Sequence, residues 1–174
     1  MEKVILVDSR DQEIGTEEKM LAHKKGLLHR AFSLLVFNSN GEMLLQKRAS
    51  HKYHSADLWT NTCCSHPRKG ETVEEAAKRR LAEEMGMEAD PEFLYKFIYS
   101  VSFDNGLSEH ELDHVLIARS DNEPNINTEE VSDWKYIGLE ELQNKLKAQP
   151  ELFTRWFQII MESFPEKVKH LKLA

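Results

Sequence analysis

The sequence lacks the features that mark several common protein classes. Among its 174 residues, no apolar run approaches the roughly 20 residues that a membrane-spanning helix needs. Acidic residues outnumber basic ones by 30 to 23, which gives a formal net charge of −7. Sequence-independent binding of nucleic acid depends on neutralising phosphates, so it suits an acidic chain poorly. We therefore expect neither a membrane nor a nucleic acid as a partner.

Cysteine is also scarce, and the two cysteines, Cys63 and Cys64, are adjacent. Neighbours on a strand point to opposite faces, so a disulfide between them would be strained. The first apolar stretch ends at Asp8 and is too short for the core of a signal peptide. Without a disulfide framework or an export signal, the chain is expected in a reducing cytoplasm.

No internal repeat, low-complexity tract or Gly/Ser-rich linker divides the chain, and its length suits one domain over residues 1–174. Hydrophobic patterning predicts strands at 2–8, 30–37, 42–47, 93–103, 111–119 and 134–137, with a hairpin turn at 38–41. Helices are predicted at 16–24 with Thr16 as N-cap, at 139–147, and from about 150 onward. This order predicts an α+β fold, a layered αβα arrangement with a mixed β-sheet flanked by helices.

The strongest helix prediction covers residues 72–85. Thr72 and Glu75 fit a capping box, and Gly86 is typical of a helix C-terminus. Arginines at 79 and 80 precede glutamates at 83 and 84 by four positions. Considered alone, these are two surface ion pairs worth only about a few tenths of a kcal/mol each.

The segment 59–67, WTNTCCSHP, is the densest chemical signal. If it is extended, Cys64 and His66 project to the same side. A thiol beside an imidazole suits a metal pair or a nucleophile with its base. In isolation, a buried cysteine and a capping histidine are the more common explanation.

Other candidate metal ligands are dispersed along the chain. Glu109 and Glu111 share one face of a predicted strand, and two converging carboxylates repel unless a cation or a proton separates them. Considered in isolation, the two glutamates are more simply explained as exposed acidic residues at the start of a strand. His23 and His29 are six residues apart, so only the fold can bring them to one site. Three imidazoles and two glutamates would suit Mn²⁺, Zn²⁺ or Mg²⁺.

The helix at 72–85 resembles the Nudix box, G-x5-E-x7-R-E-U-x-E-E-x-G-U. The matching residues are Glu71, Arg79, Leu81, Glu83, Glu84, Gly86 and Met87. Ser65 replaces the opening glycine, and Arg80 replaces a glutamate that helps Nudix hydrolases bind metals. Because a guanidinium binds anions and not metals, this resemblance implies a site that holds a diphosphate without hydrolysing it.

With these departures, the chain resembles the type I isopentenyl-diphosphate Δ-isomerases, whose catalytic cysteine lies in a W-T-N-x-x-C-x-H-P stretch. The resemblance implies isomerisation of isopentenyl diphosphate to dimethylallyl diphosphate in isoprenoid biosynthesis, through a tertiary carbocation. Cys64 and Glu111 would be the acid and base, in an order that the sequence leaves open. The oligomeric state implied is a monomer or a weak dimer.

The resemblance also implies two metal sites and a binding surface. A divalent metal, Mn²⁺, Zn²⁺ or Mg²⁺, would be bound by His23, His29, His66, Glu109 and Glu111. A Mg²⁺ that accompanies the substrate diphosphate would be bound by Glu84. The diphosphate positions correspond to Lys19, Arg48, Lys52 and Arg80. Trp156, with Tyr99 as a neighbour, would stabilise the cation by cation–π attraction, although core packing explains Trp156 equally well.

Three alternatives remain open at this stage. A Nudix-type diphosphate hydrolase would keep the fold and change the reaction, and Arg80 argues against it. A thiol hydrolase built on Cys64 and His66 would leave the two glutamates without a role. A non-catalytic metal-binding or nucleotide-sensing module would bind without turnover. The remaining histidines are assigned no function: His51, His54, His110, His114 and His170.

Overall fold

The computed structural model describes residues 2–169, which fold around one mixed β-sheet. Its nine strands are β1 (Lys3–Val7), β2 (Glu13–Glu18), β3 (His29–Phe37), β4 (Met43–Arg48), β5 (Trp59–Thr60), β6 (Cys63–Ser65), β7 (Glu92–Ser102), β8 (Ser108–Arg119) and β9 (Val131–Ile137). The helices are α1 (Lys19–Lys25), α2 (Val73–Met85), α3 (Leu139–Ala148) and α4 (Arg155–Lys167), with a 3₁₀ turn at Pro150–Leu152.

Strand β3 organises the sheet. It pairs in parallel with β8 and antiparallel with β1, β4 and β6, while β7 extends the sheet beyond β8 and β9 pairs with β4. The parallel register sets His29 opposite Glu111, and the antiparallel register sets Ser33 opposite Cys64. Side chains opposite each other point to the same face. The pairing therefore brings β3, β6 and β8 residues onto one side of the sheet.

Each face of the sheet is covered by a helix. On one face, Phe157 and Ile160 of α4 lie in a buried cluster with Leu35 and Val115. On the other, Leu81 and Met85 of α2 lie in a buried cluster with Leu34 and Leu116. The α+β fold with αβα layers that the sequence predicts is confirmed.

Helix α2 begins and ends as its sequence predicts. Thr72 Oγ1 accepts a hydrogen bond from the backbone of Glu75, and the Glu75 carboxylate accepts one from the backbone of Thr72. Gly86 ends the helix in the left-handed region, with φ of 61°. A Cβ at this glycine would lie 2.3 Å from the carbonyl oxygen of Asn125, so both conformation and space favour glycine.

The predicted helix at 16–24 begins too early. Thr16 belongs to β2, where it pairs with Ile5 of β1, and the helix starts only at Lys19. Glu18 is the N-cap, because its carboxylate accepts hydrogen bonds from the amides of Met20 and Leu21. Cross-strand pairing with β1 overrides the helix propensity of residues 16–18, which is a weak preference.

The last helix also begins later than predicted. After the 3₁₀ turn, Phe153 bridges to Trp59, and the Thr154 amide donates to the Trp59 carbonyl at 3.0 Å. Helix α4 then begins at Arg155. Across residues 2–169, every helix is too short or too polar to cross a membrane.

Candidate active site

One pocket collects most of the residues singled out in the sequence. It is lined by side chains from α1, β3, β4, the loop after β4, β6, α2, β7, β8 and α4. The predicted site residues in its wall are Lys19, Arg48, Lys52, Cys64, His66, Arg80, Glu84, Tyr99, Glu109, Glu111 and Trp156. These residues are up to 137 positions apart in the chain, from Lys19 to Trp156, so the fold assembles the site.

A fully buried polar scaffold holds Cys64 and His66 in place. Asn61 donates to the carbonyls of Leu34, at 3.3 Å, and Cys63, at 2.8 Å. Thr62 Oγ1 donates to the Leu44 carbonyl at 2.6 Å and accepts from the Val36 amide at 2.9 Å. These side chains link the segment to β3 and β4, so the cysteine and histidine that follow have a fixed direction.

The same segment positions Trp156. Thr60 Oγ1 lies 2.8 Å from Thr154 Oγ1, which fixes the start of α4 against β5. Trp156, in the first turn of that helix, is only 3% exposed and lines the pocket. Its ring lies 5.2 Å from the guanidinium carbon of Arg48, so this indole already contacts one cation. Trp156 is thus both a core residue and a pocket residue.

Four buried side chains form a cluster at the pocket, of which His66 and Glu111 line it and His23 and His29 lie behind its wall. One ligand atom from each of His23, His29, His66 and Glu111 lies within 4.8 Å of the other three. His66 Nε2 is 2.9 Å from Glu111 Oε1 and 3.2 Å from His29 Nε2, while His29 Nε2 is 3.5 Å from Glu111 Oε1. Three imidazoles and a carboxylate at these separations are a donor set suited to a divalent transition metal.

The hydrogen bonds of the ring nitrogens support a metal site. His23 Nδ1 contacts the Lys19 carbonyl at 2.8 Å, and His29 Nδ1 contacts the Leu27 carbonyl at 2.8 Å. A carbonyl only accepts, so each Nδ1 carries the proton and each Nε2 is left as the donor atom toward the cluster. His23 Nε2 is buried and has no hydrogen-bond partner among residues 2–169. The residues present therefore fit a metal.

The protonation states suit the same role. Burial lowers the pKa values of His23 and His66 to about 4, with the charge of His29 adding to the effect. Burial also opposes charge on His29, but the hydrogen bond and charge of Glu111 raise its pKa. The two neighbouring imidazoles hold the pKa of Glu111 well below its ordinary value despite burial. His23, His66 and Glu111 are thus in the forms that bind a metal, whereas His29 would release its proton on binding one.

Glu109 lies beside this cluster and outside its tight group of four. Its Oε2 accepts a hydrogen bond from the Tyr99 hydroxyl at 3.1 Å, and the same hydroxyl is 2.6 Å from Glu111 Oε2. Burial raises the pKa of Tyr99 well above its ordinary value, with both glutamates adding to the effect. Tyr99 therefore stays a neutral donor that links the two carboxylates and orients Glu111.

His54 is a pocket residue that the sequence did not reveal. It is 7% exposed, and its Nε2 lies 3.2 Å from Glu109 Oε1 without the alignment of a hydrogen bond. Its ring stacks on Phe103 at 4.5 Å and meets Trp156 edge to face at 5.9 Å. A histidine in a polar loop resembles any surface histidine, and its contacts come from the turn after β7, from β8 and from α4, which only folding supplies.

The two adjacent cysteines are separated as expected. Cys63 belongs to the α2-side cluster, whereas Cys64 lines the pocket, and both are free thiols. Burial raises the pKa of the Cys64 thiol well above its ordinary value, although Arg48 opposes the shift. Cys64 therefore carries its proton at neutral pH.

A second carboxylate site lies at the α2 side of the pocket. Glu84 is 5% exposed, and it accepts hydrogen bonds from Gln46 Nε2 at 2.8 Å and from Arg80 Nη2 at 2.5 Å. Gln46 also donates to the Thr62 carbonyl at 2.7 Å, so it connects Glu84 to the cysteine-bearing segment. Gln46 is a further site residue that the sequence did not single out.

The four predicted basic residues surround this end of the pocket. Lys19 pairs with Glu2 at 3.1 Å, and Lys52 pairs with Glu130. Arg48 instead donates to backbone carbonyls of the loop after β4, Ser55 at 3.1 Å and His54 at 3.2 Å. Four cationic groups on one wall suit an anionic ligand.

The geometry does not support a nucleophile–base pair on Cys64 and His66. His66 Nε2 faces Glu111 and His29, and its other ring nitrogen is buried without a partner among residues 2–169. A thiol is activated by an imidazole only when the two are within hydrogen-bond reach. His66 is arranged as a ligand and not as a base.

Comparison with known proteins is consistent with this arrangement. A family model for the NUDIX domain matches residues 27–157. The chain is also similar to a Deinococcus radiodurans protein of known structure, with a TM-score of 0.75 at 21% identity over 92% of this chain and 98% of that one. A MutT protein from Methanosarcina mazei gives a TM-score of 0.68 at 17% identity, covering 82% of this chain and 96% of that one. These two likenesses concern the fold.

Proteins that are similar in sequence identify the family more specifically than these similarities in fold. The chain is 51% identical to isopentenyl-diphosphate Delta-isomerase 2 of Photorhabdus laumondii, over 92% of this chain and 90% of that protein. It is 46% identical to isopentenyl-diphosphate Delta-isomerase of Pectobacterium atrosepticum, over 94% and 92%. The chain belongs to the isopentenyl-diphosphate Delta-isomerase family, and its fold is that of the NUDIX domain.

Proposed function

We propose that this protein interconverts isopentenyl diphosphate and dimethylallyl diphosphate by protonation and deprotonation through a tertiary carbocation. The observation that carries the proposal is a buried cluster of three histidines and Glu111, part of which lines one pocket together with Cys64 and four basic side chains. A NUDIX hydrolase would need a metal-binding glutamate where this chain has Arg80, whose guanidinium binds Glu84.

The reaction needs two groups that exchange protons with carbon. An unactivated alkene is a very weak base, so the donor must be held against it in a site that excludes water. Cys64 and Glu111 are the candidates: the thiol holds its proton, and the carboxylate is ionised. One of them delivers a proton to the terminal carbon, and the other removes a proton from the carbon two positions away.

Tyr99 and Trp156 serve the same chemistry. The Tyr99 hydroxyl, 2.6 Å from Glu111, holds the carboxylate in one direction and can stabilise its negative form. Trp156 presents an indole where the carbocation would form, and an aromatic face attracts a cation by about 2 kcal/mol or more when water is excluded. An indole does not trap the cation as a nucleophilic oxygen would.

Two metal ions complete the proposal. His23, His29, His66 and Glu111, with Glu109 alongside, would hold a divalent ion, and Glu84 would hold the Mg²⁺ that accompanies the diphosphate. When bound, these ions supply positive charge that fixes Glu111 and neutralises phosphate oxygens. Lys19, Arg48, Lys52 and Arg80 bind the diphosphate as a handle, so binding remote from the alkene orients it. We further propose that the enzyme acts in the cytoplasm, since both its thiols are free, and that it is a monomer or weak dimer.

Proton NMR in D₂O tests the reaction. The protein is incubated with isopentenyl diphosphate and Mg²⁺, and dimethylallyl diphosphate should form with uptake of deuterium. Cys64→Ala and Glu111→Gln should each lower the rate by about 10²–10⁴-fold, the range typical of a positioned acid or base. Cys63→Ala is the matched control, because this neighbouring thiol belongs to the α2-side core and does not line the pocket, and it should stay active. Absence of any new alkene signal with metal-loaded wild type refutes the proposal.

A further inference from the structure

The loop after β4 places two aromatic rings along one end of the pocket. Tyr53 and His54 both line the pocket, and their rings meet edge to face with the centroids 4.6 Å apart. His54 is buried and meets the Trp156 ring edge to face, whereas Tyr53 is 42% exposed and also lines a shallow groove outside the pocket. The two rings therefore form successive layers between Trp156 and the solvent.

This end of the pocket is where the carbocation of the proposed reaction would form. His54 Nε2 lies 3.2 Å from Glu109 Oε1, and the Tyr99 hydroxyl links Glu109 to Glu111. His54 thus contacts the carboxylate beside a candidate acid or base and also the indole of Trp156. Water that passed the two rings would reach the cation directly.

The backbone of the loop is held in place from two sides. Arg48 donates hydrogen bonds to the carbonyls of Ser55, at 3.1 Å, and His54, at 3.2 Å. From the turn between β7 and β8, Asn105 Nδ2 donates to the Tyr53 carbonyl at 3.0 Å. Ser55 has a φ of 51°, a conformation that is uncommon outside glycine and that is concentrated at functional sites. These contacts keep both rings against the pocket.

Water in the pocket would change the product of the reaction. A tertiary carbocation accepts an electron pair from water, which forms a C–O bond, and loss of one proton from that oxygen leaves a tertiary alcohol. The net change is the addition of one water to isopentenyl diphosphate instead of a proton shift. Closing a site to water prevents side reactions of this kind. The ratio of alcohol to alkene therefore measures the access of water.

We propose that Tyr53 is a product-determining residue: its ring, packed on His54, covers the pocket and keeps water from the carbocation, so that the cation loses a proton and is not hydrated. The inference rests on the proposed function, because it concerns the cation formed in that reaction. The ring carries the role and the hydroxyl does not, since the ring makes the contact with His54. Lys19 Nζ lies 5.8 Å from the centroid of the same ring, so the cover extends to the basic side of the pocket.

Two variants separate the ring of Tyr53 from its hydroxyl. Tyr53→Ala removes the cover, whereas Tyr53→Phe keeps the ring and is the matched control. Each protein is incubated with isopentenyl diphosphate and metal, and the products are followed by proton NMR. The tertiary alcohol should appear beside dimethylallyl diphosphate in Tyr53→Ala and not in Tyr53→Phe or wild type. Absence of the alcohol in Tyr53→Ala, or equal amounts in both variants, overturns the inference.

Alkylation of Cys64 by iodoacetamide at one fixed pH measures access to the pocket without turnover. Tyr53→Ala should raise the rate about two- to tenfold, the range expected for loss of one aromatic pair, and Tyr53→Phe should match wild type. Cys63 is fully buried, so its labelling, followed by mass spectrometry, reports opening of the fold and should not rise. An unchanged rate at Cys64, or an equal rise at both cysteines, overturns the inference. If wild type forms no dimethylallyl diphosphate, the proposed function itself fails, whatever the labelling shows.

Discussion

At the scale of single residues, the pocket shows how a neighbour can set what a catalytic group does. The Tyr99 hydroxyl donates to both Glu109 and Glu111. The carbonyls of Lys19 and Leu27 accept from the Nδ1 atoms of His23 and His29 and so fix the tautomers of these two histidines. Outer partners of this kind orient ligands and tune their basicity. They contribute to function without touching a substrate.

His54 is the residue for which this reasoning gives a new expectation. His54→Ala removes the ring that contacts Glu109 Oε1 and stacks on Phe103. Loss of such an outer partner typically costs about 10–100-fold in metal affinity or activity. We therefore expect kcat to fall by at least about tenfold while KM changes little, because the backbone carbonyl that binds Arg48 remains. Steady-state kinetics of isomerisation measures the two parameters separately.

His51→Ala provides the control for that measurement. His51 is in the same loop, but its side chain is 57% exposed and it does not line the pocket. Its kinetics should match wild type. If His54→Ala also matches wild type, or if both variants lose activity equally, His54 has no positioning role.

At the scale of elements, the turn between β1 and β2 is tied to the sheet by one carboxylate. Asp11, with φ of 68°, accepts from Arg30 Nε at 2.7 Å, while its other oxygen contacts Lys96 Nζ at 3.0 Å and His114 Nε2 at 2.8 Å. The partners belong to β3, β7 and β8. This contact anchors β1 and β2, and β2 leads directly into the helix that carries Lys19 and His23.

Replacing Asp11 by Asn tests the anchor, because asparagine tolerates the left-handed conformation but carries no charge. We expect a loss of about 1 kcal/mol in the free energy of unfolding at pH 7, allowing for screening on a partly exposed group. Burial opposes the shift, but Arg30 and Lys96 lower the pKa of Asp11 below its ordinary value. The stabilisation is thus complete above the unfolded-state pKa, near 4, and disappears as the pH falls through the lower folded-state pKa.

Urea denaturation of both proteins at pH 7, 5 and 3.5 measures this dependence. The difference between them should be smaller at pH 3.5 than at pH 5, as the Asp11 carboxylate takes up its proton. Asp90→Asn is the control, since this fully exposed carboxylate pairs only with Lys78 and should matter little for stability. A difference that is as large at pH 3.5 as at pH 5 would contradict the proposed anchor.

At the scale of the whole molecule, metal binding should couple to stability. The four ligands of the buried cluster come from α1, β3, β8 and the residue after β6, so a metal bound there joins elements that are far apart in the chain. Anything that binds only the folded state stabilises it by mass action, by about 2.7 kcal/mol at a concentration 100 times Kd. For a chain of this size, that amounts to a rise in Tm of about 5–10 °C.

Thermal denaturation with Mn²⁺ or Zn²⁺, and again with a chelator, measures the effect. His29→Ala removes a central ligand and should abolish the rise in Tm. Glu84→Gln changes a carboxylate outside the cluster and should retain most of it. An equal rise in His29→Ala and wild type would mean that the metal binds elsewhere.

Local sequence determined the parts of this protein that depend on neighbouring residues. Helix α2 could be predicted with both of its ends. Thr72 and Glu75 interact within the first turn of the helix, and Gly86 acts at its last turn. The position of Cys64 and His66 on the same side of their segment could be predicted, because alternate side chains of an extended segment point to one side. The remaining site residues were identified through resemblance to a family. The motifs of a family already contain the residues that its fold brings together.

Only the tertiary structure decided the rest. Pairing with β1 made residues 16–18 a strand, against their local preference for helix. His54 became a pocket residue through contacts with the turn after β7, with β8 and with α4, and Glu130 came to lie beside two basic pocket residues, Lys52 and Arg80. These roles arise from contacts between side chains that are 49 to 102 residues apart. Such contacts leave no periodic or local signature, because the sheet register and not the sequence spacing sets them.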